Sequence, residues 1–335
     1  MKRYVILIMI FTALFAAGCS SEKEADSSDI TGSAVSPYQG KKILYIDSYH
    51  QSYEWSKEIT NGIKTTLEGK GIELKIHSLD TKNNPSEEFK QQAALEAKNI
   101  IEEFQPDVLI VSDDNAMKYI VQEYYKDAEL PVVFCGVNWD ASGYDAPYSN
   151  TAGMVEVVLI DKAIEEVSKH ANGNRVGFLT GDLLSEHKNA EYFVKYLDIN
   201  LQETSFVKNF EEWKNAFLDL QEKVDIIIMG VPAGIENFNE QEAEDFILEN
   251  VKIPIVIEHD WLIQYALLSY SKIAKEQGEW SAETALRILD GENAGDIPVV
   301  QNKKGKIALN LKMAEKLGIT FSPELLKNAE TIYKT

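Results

Sequence analysis

The chain has 335 residues, with 33 Lys and Arg against 54 Asp and Glu, a formal net charge of −21 and two cysteines. With 44% hydrophobic residues it has an ordinary globular composition, and its length is enough to bury two cores of about 150 residues each. The acidic balance excludes a nucleic-acid-binding protein, because neutralising phosphates needs a basic face and the chain has only three arginines. Two cysteines also exclude a disulfide framework.

The N-terminus has the three parts of an export signal. Two basic residues precede an apolar run at 4–17, which is shorter than the ~20 residues of a membrane-spanning helix. The run ends in LFAAGC at 14–19, a stretch of small residues that resembles the bacterial lipobox. We therefore expect residues 1–18 to be a signal peptide, Cys19 to be lipidated, and the protein to be anchored to the membrane outside the cytoplasm. An uncleaved helical anchor is the alternative.

Residues 19–39 are rich in Ser, Asp and Glu, and their few apolar residues show no period. A segment that cannot bury apolar surface stays disordered, so a flexible tether is predicted between the lipid anchor and the folded body. The second cysteine, Cys135, lies inside the apolar run PVVFCGV and is predicted to be a buried thiol without a partner.

From residue 41 onward, short β-branched runs alternate with helical patterns, which is typical of βαβ units and a parallel sheet. In the first half, strands are predicted at 43–47, 74–79, 108–112, 132–137 and 151–155, with helices at 55–67, 86–104 and 115–126. In the second half, strands are predicted at 176–180, 202–207, 226–230 and 255–258.

The second half repeats the first in its residues. PDVLIVSDDNA at 106–116 aligns with VDIIIMGVPAG at 224–234, and LPVVFCGVNWD at 130–140 aligns with IPIVIEHDWLI at 253–263. Two similar α/β lobes are therefore predicted. In open parallel sheets ligands bind beyond the carboxyl ends of the strands, so a cleft shared by the two lobes is the expected site.

Polar and aromatic residues follow the predicted strands. The candidates for ligand binding in the first half are Ser48, Tyr49, His50, Trp55, Asp113, Asp114, Asn115, Asn138, Trp139 and Glu156. The candidates in the second half are Asp182, Pro232, Glu258 and Asp260. Tyr and Trp rings stack on a flat ligand, while acids and amides satisfy its polar edge, so this composition predicts a site for a ring-shaped compound.

Each cluster also has a purely structural interpretation. An acid at a strand end is as consistent with a helix N-cap as with ligand contact, and Asp113 and Asp114 directly precede a predicted helix. Trp139 and Trp261 are each as consistent with covering the edge of a core as with stacking. The aromatic loop around Tyr49 is harder to explain as core, because loops are normally exposed.

A metal or acid–base centre would have to use Glu258, His259 and Asp260 together with His50. Neighbouring residues on a strand point to opposite faces, so they cannot all bind one ion. No motif joins a nucleophile, a base and an orienting group, and the G-x-S-x-G, P-loop and dinucleotide-binding patterns are absent from the sequence. The sequence predicts binding without chemistry, metal or cofactor.

The motifs together resemble the substrate-binding lipoproteins of ABC transporters, within the family that includes tryptophan- and tyrosine-type binding proteins. The resemblance covers 41–333. Besides the lipobox and the two lobes, it rests on DDNAMKYI at 113–120, PVVFCGVNW at 131–139, SAETALRILDGENAGDIPV at 281–299 and IALNLKMAEKLGITFSPELLKNAETIY at 307–333.

The resemblance implies a type I periplasmic-binding-protein fold in which the chain crosses three times between lobes around a central cleft. Lobe one is expected at 40–155 plus 265–300, and lobe two at 156–264 plus 301–335. It further implies a monomer that closes about a hinge on its ligand and then docks on ABC permease subunits in the membrane.

The leading functional hypothesis is a binding lipoprotein of an ABC importer for a small organic solute, with an aromatic amino acid as the first candidate. No arginine lies at the predicted strand ends, which argues against a strongly anionic ligand and favours a neutral ring, a polyol or an amine. The alternative is a binding lipoprotein that presents its ligand to a membrane signalling receptor. A hydrolase or transferase is the third hypothesis.

Overall fold

Two β-sheets organise residues 36–334, the part of the chain that the computed structural model describes. The strands, in chain order, are β1 (Lys42–Asp47), β2 (Glu73–Ser78), β3 (Val108–Ser112), β4 (Val132–Asn138), β5 (Thr151–Glu156), β6 (Val176–Gly181), β7 (Leu201–Val207), β8 (Ile226–Met229), β9 (Ile255–Ile257), β10 (Leu268–Lys272), β11 (Val300–Gln301), β12 (Gly305–Asn310) and β13 (Ala329–Tyr333). The α-helices are α1 (Glu54–Leu67), α2 (Glu87–Phe104), α3 (Asp113–Ala116), α4 (Ile160–Ser168), α5 (Leu184–Leu197), α6 (Phe210–Lys223), α7 (Glu240–Asn250), α8 (Ala274–Leu289), α9 (Leu311–Leu317) and α10 (Pro323–Asn328), and a π-helix at Met117–Tyr125 continues α3. The predicted signal peptide and Cys19 lie outside the described residues.

The two sheets repeat one strand order. The first runs β11-β5-β4-β3-β1-β2 and is parallel throughout, and the second runs β13-β12-β10-β9-β8-β6-β7. Strands β1 to β5 therefore occupy the same places in the first sheet as β6 to β10 in the second, which confirms the two similar α/β lobes. In the second sheet β12 pairs antiparallel with β10, a departure from the parallel pattern.

Continuous apolar runs form the central strands because helices cover both faces of each sheet. In β1, Leu44 and Ile46 pack with α2 and α3, while Ile43 and Tyr45 pack with α1 and α8. These four side chains are fully buried. Cys135 lies in the second of these layers and is likewise buried and free of any disulfide, as predicted.

The chain crosses between the lobes three times, as expected, after Glu156, after Lys272 and after Gln301. A single side chain joins the first crossover to the third. The Val157 backbone N–H donates to Asn302 Oδ1 at 2.7 Å, and Asn302 Nδ2 donates back to the Val157 carbonyl at 3.1 Å. The first and third crossovers therefore run side by side.

The structure places one segment differently from the expected lobe boundaries. Residues 265–272 were expected in lobe one, yet β10 pairs with β9 and β12 in the second sheet. The short turn of 3-10 helix at Asp260–Tyr265 returns the chain beside β9, and Leu268 is buried in the core of the second lobe. The return crossover therefore begins at Lys272.

The end of the expected tether also differs. Residues 36–39 form a turn, and the Tyr38 hydroxyl donates to Asp290 at 3.0 Å, so this part of 19–39 contacts the first lobe. In the same lobe α1 and α8 cross closely. A Cβ at Gly278 would lie 2.0 Å from the Ile59 carbonyl oxygen, so this crossing requires glycine. No helix within 36–334 is long and apolar enough to cross a membrane.

Candidate ligand-binding cleft

A cleft of about 370 Å³ lies between the lobes, at the carboxyl ends of strands from both sheets. Its lining residues are Tyr49, Tyr53, Trp55, Asp113, Asn138, Glu156, Val158, Leu159, Glu258, His259, Asp260, Trp261, Ser271 and Lys272. Seven of them are ligand-binding candidates from the sequence, namely Tyr49, Trp55, Asp113, Asn138, Glu156, Glu258 and Asp260. The cleft combines aromatic rings with carboxylates.

Asp113 is the most deeply buried acid of the cleft, with 2% of its surface exposed. It directly follows β3 and begins α3 with φ at +67°, a backbone conformation that Asp tolerates better than most residues. Trp55 Nε1 donates to Asp113 Oδ1 at 3.1 Å, whereas Oδ2 has no hydrogen-bond partner among residues 36–334. Burial, together with the nearby charge of Glu156, raises the pKa of the Asp113 carboxyl well above its usual range.

Glu156 and Lys272 form a direct ion pair between their side-chain ends. Glu156 is 7% exposed, and the Lys272 ammonium lies 5.6 Å from the centroid of the Trp55 ring. Burial by itself lowers the pKa of Lys272, but the charges of Glu156 and Glu258 outweigh burial and raise it overall. The lysine therefore stays protonated and its charge is matched inside the protein.

The second lobe presents Glu258, His259, Asp260 and Trp261. Glu258 Oε1 lies 2.8 Å from His259 Nε2, and Oε2 is buried with no partner in the described part of the chain. Burial raises the pKa of Glu258, but the hydrogen bond and charge of His259 dominate and lower it. Trp261 stacks on His259 at 5.4 Å and is 64% exposed, so it does not cover a core edge.

An inner cavity of about 110 Å³ adjoins the cleft and shares Glu258 and His259 with it. Its walls are mostly apolar, with Phe178 and Met229 among them. Glu186 lies at this cavity, is 6% exposed, and accepts a hydrogen bond from Thr180 Oγ1 at 2.9 Å. The cleft therefore continues into an apolar recess within the second lobe.

Three of the predicted residues join elements beside the cleft. Ser48 Oγ donates to the Ser112 carbonyl at 2.6 Å and accepts from the Ala116 N–H at 2.8 Å, so it ties β1 to α3. Asn115 donates to Thr81 at 2.8 Å. Asp114 accepts from Asn138 at 2.5 Å and from Tyr144 at 2.6 Å.

Trp139 faces α5 of the second lobe instead of the cleft. Its ring stacks on Tyr196 at 5.9 Å and 24° and lies 5.2 Å from Tyr192. Next to it, Asp140 accepts from the Tyr196 hydroxyl at 3.1 Å. We call Trp139, Tyr192 and Tyr196 the aromatic bridge, because it joins the two lobes beside the cleft.

Three further predicted residues lie outside the cleft lining. His50 contacts Ser52 through Nδ1 at 2.7 Å. Asp182 pairs with His187 at 2.8 Å and with Lys208 at 3.5 Å, and Pro232 follows β8 outside both cavities. Sequence reasoning missed Tyr53, Val158, Leu159, Ser271 and Lys272, which line the cleft. The signal for the last two was the strand LSYSK at 268–272, which was not predicted.

A two-lobed α/β fold with three crossovers and a cleft between the lobes defines a type I periplasmic-binding protein. The family model of ABC transporter substrate binding proteins matches residues 51–333, so this chain belongs to that family. Members of this family bind solutes outside the cytoplasm. No curated protein sequence is significantly similar to the chain.

Several solved structures are similar to the chain. The chain is similar to the ligand-free, open form of a substrate binding protein with adhesive properties from Clostridium difficile, with 17% identity, a TM-score of 0.66, and coverage of 88% of this chain and 99% of that one. It is also similar to a periplasmic ribose ABC transporter from Conexibacter woesei, with 14% identity, a TM-score of 0.53, and coverage of 85% of this chain and 95% of that one. An ABC domain in complex with L-Trp from Streptococcus pneumonia has 17% identity to the chain and a TM-score of 0.49, with coverage of 87% of this chain and 99% of that one.

Proposed function

We propose that this protein is the substrate-binding lipoprotein of an ABC importer and captures a small ring-bearing solute with an amino group, such as an aromatic amino acid or its amine. The observation that carries the proposal is the lining of the cleft. Rings of Tyr49, Trp55 and Trp261 lie in the same cleft as Asp113 and Glu258, each of which has a buried carboxylate oxygen without a partner among residues 36–334.

The size and composition of the cleft support a small ligand. Its volume of about 370 Å³ is within the range of ~300–1,000 Å³ that is usual for small-molecule sites. Aromatic side chains stack on rings, and an ammonium group supplies three N–H donors, which suit carboxylates that have acceptor capacity left. No arginine within residues 36–334 lines the cleft, so a phosphorylated or dianionic solute lacks its usual partner there.

Capture by hinge closure follows from where the ligand would sit. Asp113 belongs to the first lobe and Glu258 to the second, so a ligand that contacts both is bound more tightly when the lobes are closed. Rotation would occur at the crossovers next to Glu156 and Lys272. The closed form would then dock on the permease as a monomer.

The anchor is proposed from the sequence. The lipobox at 14–19 supports cleavage before Cys19 and lipidation of its sulfur. Metabolic labelling with a fatty acid in the native host should mark the wild-type protein and leave Cys19→Ala unlabelled. Labelling of Cys19→Ala, or a wild-type protein that keeps residues 1–18, would contradict this part of the proposal.

Ligand capture is tested on protein purified without refolding. Native mass spectrometry should reveal a retained small molecule, and a metabolite library should contain compounds that raise the melting temperature. A ligand at a hundredfold excess over its dissociation constant stabilises the folded state by about 2.7 kcal/mol. A library that gives neither a retained mass nor a shift would refute the binding function.

A further inference from the structure

We propose that the cleft selects an aromatic amine without a carboxylate, so that the bound solute is a net cation and not a zwitterionic amino acid. This inference rests on the proposed function and concerns the same site. It is carried by the balance of charges in the cleft, by two unpaired carboxylate oxygens and by the aromatic rings beside them.

Carboxylates outnumber cations in the cleft. Asp113, Glu156, Glu258 and Asp260 line it, whereas Lys272 is the single Lys or Arg of the lining in the part of the chain that the structure describes. Lys272 is paired with Glu156 and also feels the charge of Glu258, so its ammonium is matched before any ligand arrives. A ligand carboxylate would have to displace Glu156 from Lys272 or remain close to the other acids. Either event costs free energy in a buried site.

The two described arginines are engaged far from the cleft. Arg175 donates from Nε and Nη2 to Asp225 at 2.9 and 3.0 Å, and Arg287 donates to Glu292 at 2.7 and 2.6 Å. Among residues 36–334, therefore, both guanidinium groups already form two-point ion pairs with other carboxylates. The usual protein group for holding a ligand carboxylate is missing from this lining.

Two acceptors in the cleft remain open. Asp113 Oδ2 and Glu258 Oε2 are buried and have no hydrogen-bond partner in the described part of the chain. A buried acceptor without a donor costs about 1–3 kcal/mol, and more when it is charged. A ligand ammonium offers three donors and the opposite charge, so it favours the ionised form of Asp113, whose pKa burial raises, and supplies a donor to each open oxygen.

The rings beside these acids favour the same ligand. Trp55 uses its Nε1–H to hold Asp113, while its ring face attracts the Lys272 ammonium at 5.6 Å. Tyr49 and Tyr53 contact each other edge to face at 5.5 Å. The Lys82 ammonium lies 5.1 Å from the Tyr49 centroid and 3.6 Å from the Tyr53 centroid, so these rings already attract an ammonium group of the protein. Rings with carboxylates behind them attract organic ammonium groups through cation–π interaction. A metal ion is a poorer candidate, since no three His, Cys, Asp or Glu side chains within 36–334 are placed to hold one.

The experiment compares matched pairs of ligands by calorimetry at one pH: tryptophan with tryptamine, and tyrosine with tyramine. The amine of at least one pair should bind about tenfold or more tightly than its amino acid, because it avoids bringing a carboxylate beside the acids. Amino acids that bind as tightly as their amines would overturn the inference and leave the proposed function standing. Binding of other ring compounds without binding of either amine would do the same.

Variants connect the preference to its residues. Asp113→Asn should weaken amine binding about tenfold or more. Glu258→Gln should also weaken it, and this second variant tests the inference even when Asp113→Asn folds poorly. Asp182→Asn, which changes an acid outside the cleft, should bind as the wild type does. Unchanged amine binding in both cleft variants would overturn the inference. A wild-type protein that binds no compound of the library would refute the proposed function itself.

Discussion

Glu156 and Lys272 are paired at the base of the cleft, and each is the last residue of a strand from which the chain crosses to the other lobe. Glu156 ends β5 of the first sheet, and Lys272 ends β10 of the second. The pair therefore joins two crossovers directly, as Asn302 joins the first crossover to the third. The place where the lobes would rotate therefore lies in the lining of the cleft.

Removing the lysine of this pair should destabilise the protein. Lys272→Met leaves Glu156 buried without its partner, and we expect the free energy of unfolding to fall by about 2 kcal/mol, because Lys272 keeps some exposure to water. Urea unfolding measures this loss. Adding Glu156→Gln to the variant should restore part of the stability. A double variant less stable than Lys272→Met would contradict a pairwise interaction between these residues.

Asp113→Asn should stabilise the ligand-free protein at neutral pH. Burial raises the pKa of the Asp113 carboxyl in the folded state. The contribution of this carboxyl to the free energy of unfolding is therefore complete below the unfolded pKa of about 3.9, and it is lost as the pH rises through the folded pKa. Asn is uncharged, keeps an acceptor for Trp55, and tolerates the positive φ at this position. The stability difference between variant and wild type should therefore grow from pH 4 toward pH 8.

Urea unfolding of Asp113→Asn and the wild type at several pH values measures this difference. A variant that is equally destabilised at every pH would indicate that Asp113 serves only as a structural hydrogen-bonding group. A variant that is more stable than the wild type yet weaker in ligand binding would identify Asp113 as a residue whose burial costs stability and serves the site.

Trp139→Ala should shift the lobes toward an open arrangement. The aromatic bridge holds the lobes together without ligand, and Trp139 also packs against the cores of both lobes, so its removal weakens the arrangement in which the lobes are in contact. Small-angle scattering of the ligand-free variant should give a larger radius of gyration than the wild type. Trp261→Ala is the control, because that ring is exposed and contacts His259 of its own lobe. Equal radii for Trp139→Ala and the wild type would contradict this role.

Gly278→Ala should destabilise the first lobe. The new Cβ would lie 2.0 Å from the Ile59 carbonyl, a backbone atom that cannot move without separating α1 from α8. We expect a loss of about 1–3 kcal/mol, as is usual for overpacking a tight contact. Gly143→Ala is the matched control, since nothing lies within 4 Å of its added Cβ. Thermal unfolding compares the two, and equal melting temperatures would contradict the close crossing.

Residues next to strands were the best predicted part of the site. Asp113 and Asn138 were found because polar residues directly follow continuous apolar runs, and parallel strands bring their carboxyl ends to one edge. Lys272 was missed because its strand was not predicted and was assigned to the other lobe. Trp139 was predicted for the cleft, but with φ at +60° it turns toward α5 and packs on Tyr196. Local patterns carry no information about that direction.

The sequence by itself determined the two repeated α/β lobes, the positions of most strands and the buried thiol of Cys135, because these depend on local runs of apolar residues. Only the tertiary structure decided that Lys272 meets Glu156, that Trp139 joins the lobes, and that Asp113 and Glu258 each keep an unpaired buried oxygen. These relationships join residues that are distant along the chain. They depend on strand order and crossover geometry, which the pattern of hydrophobic residues does not specify.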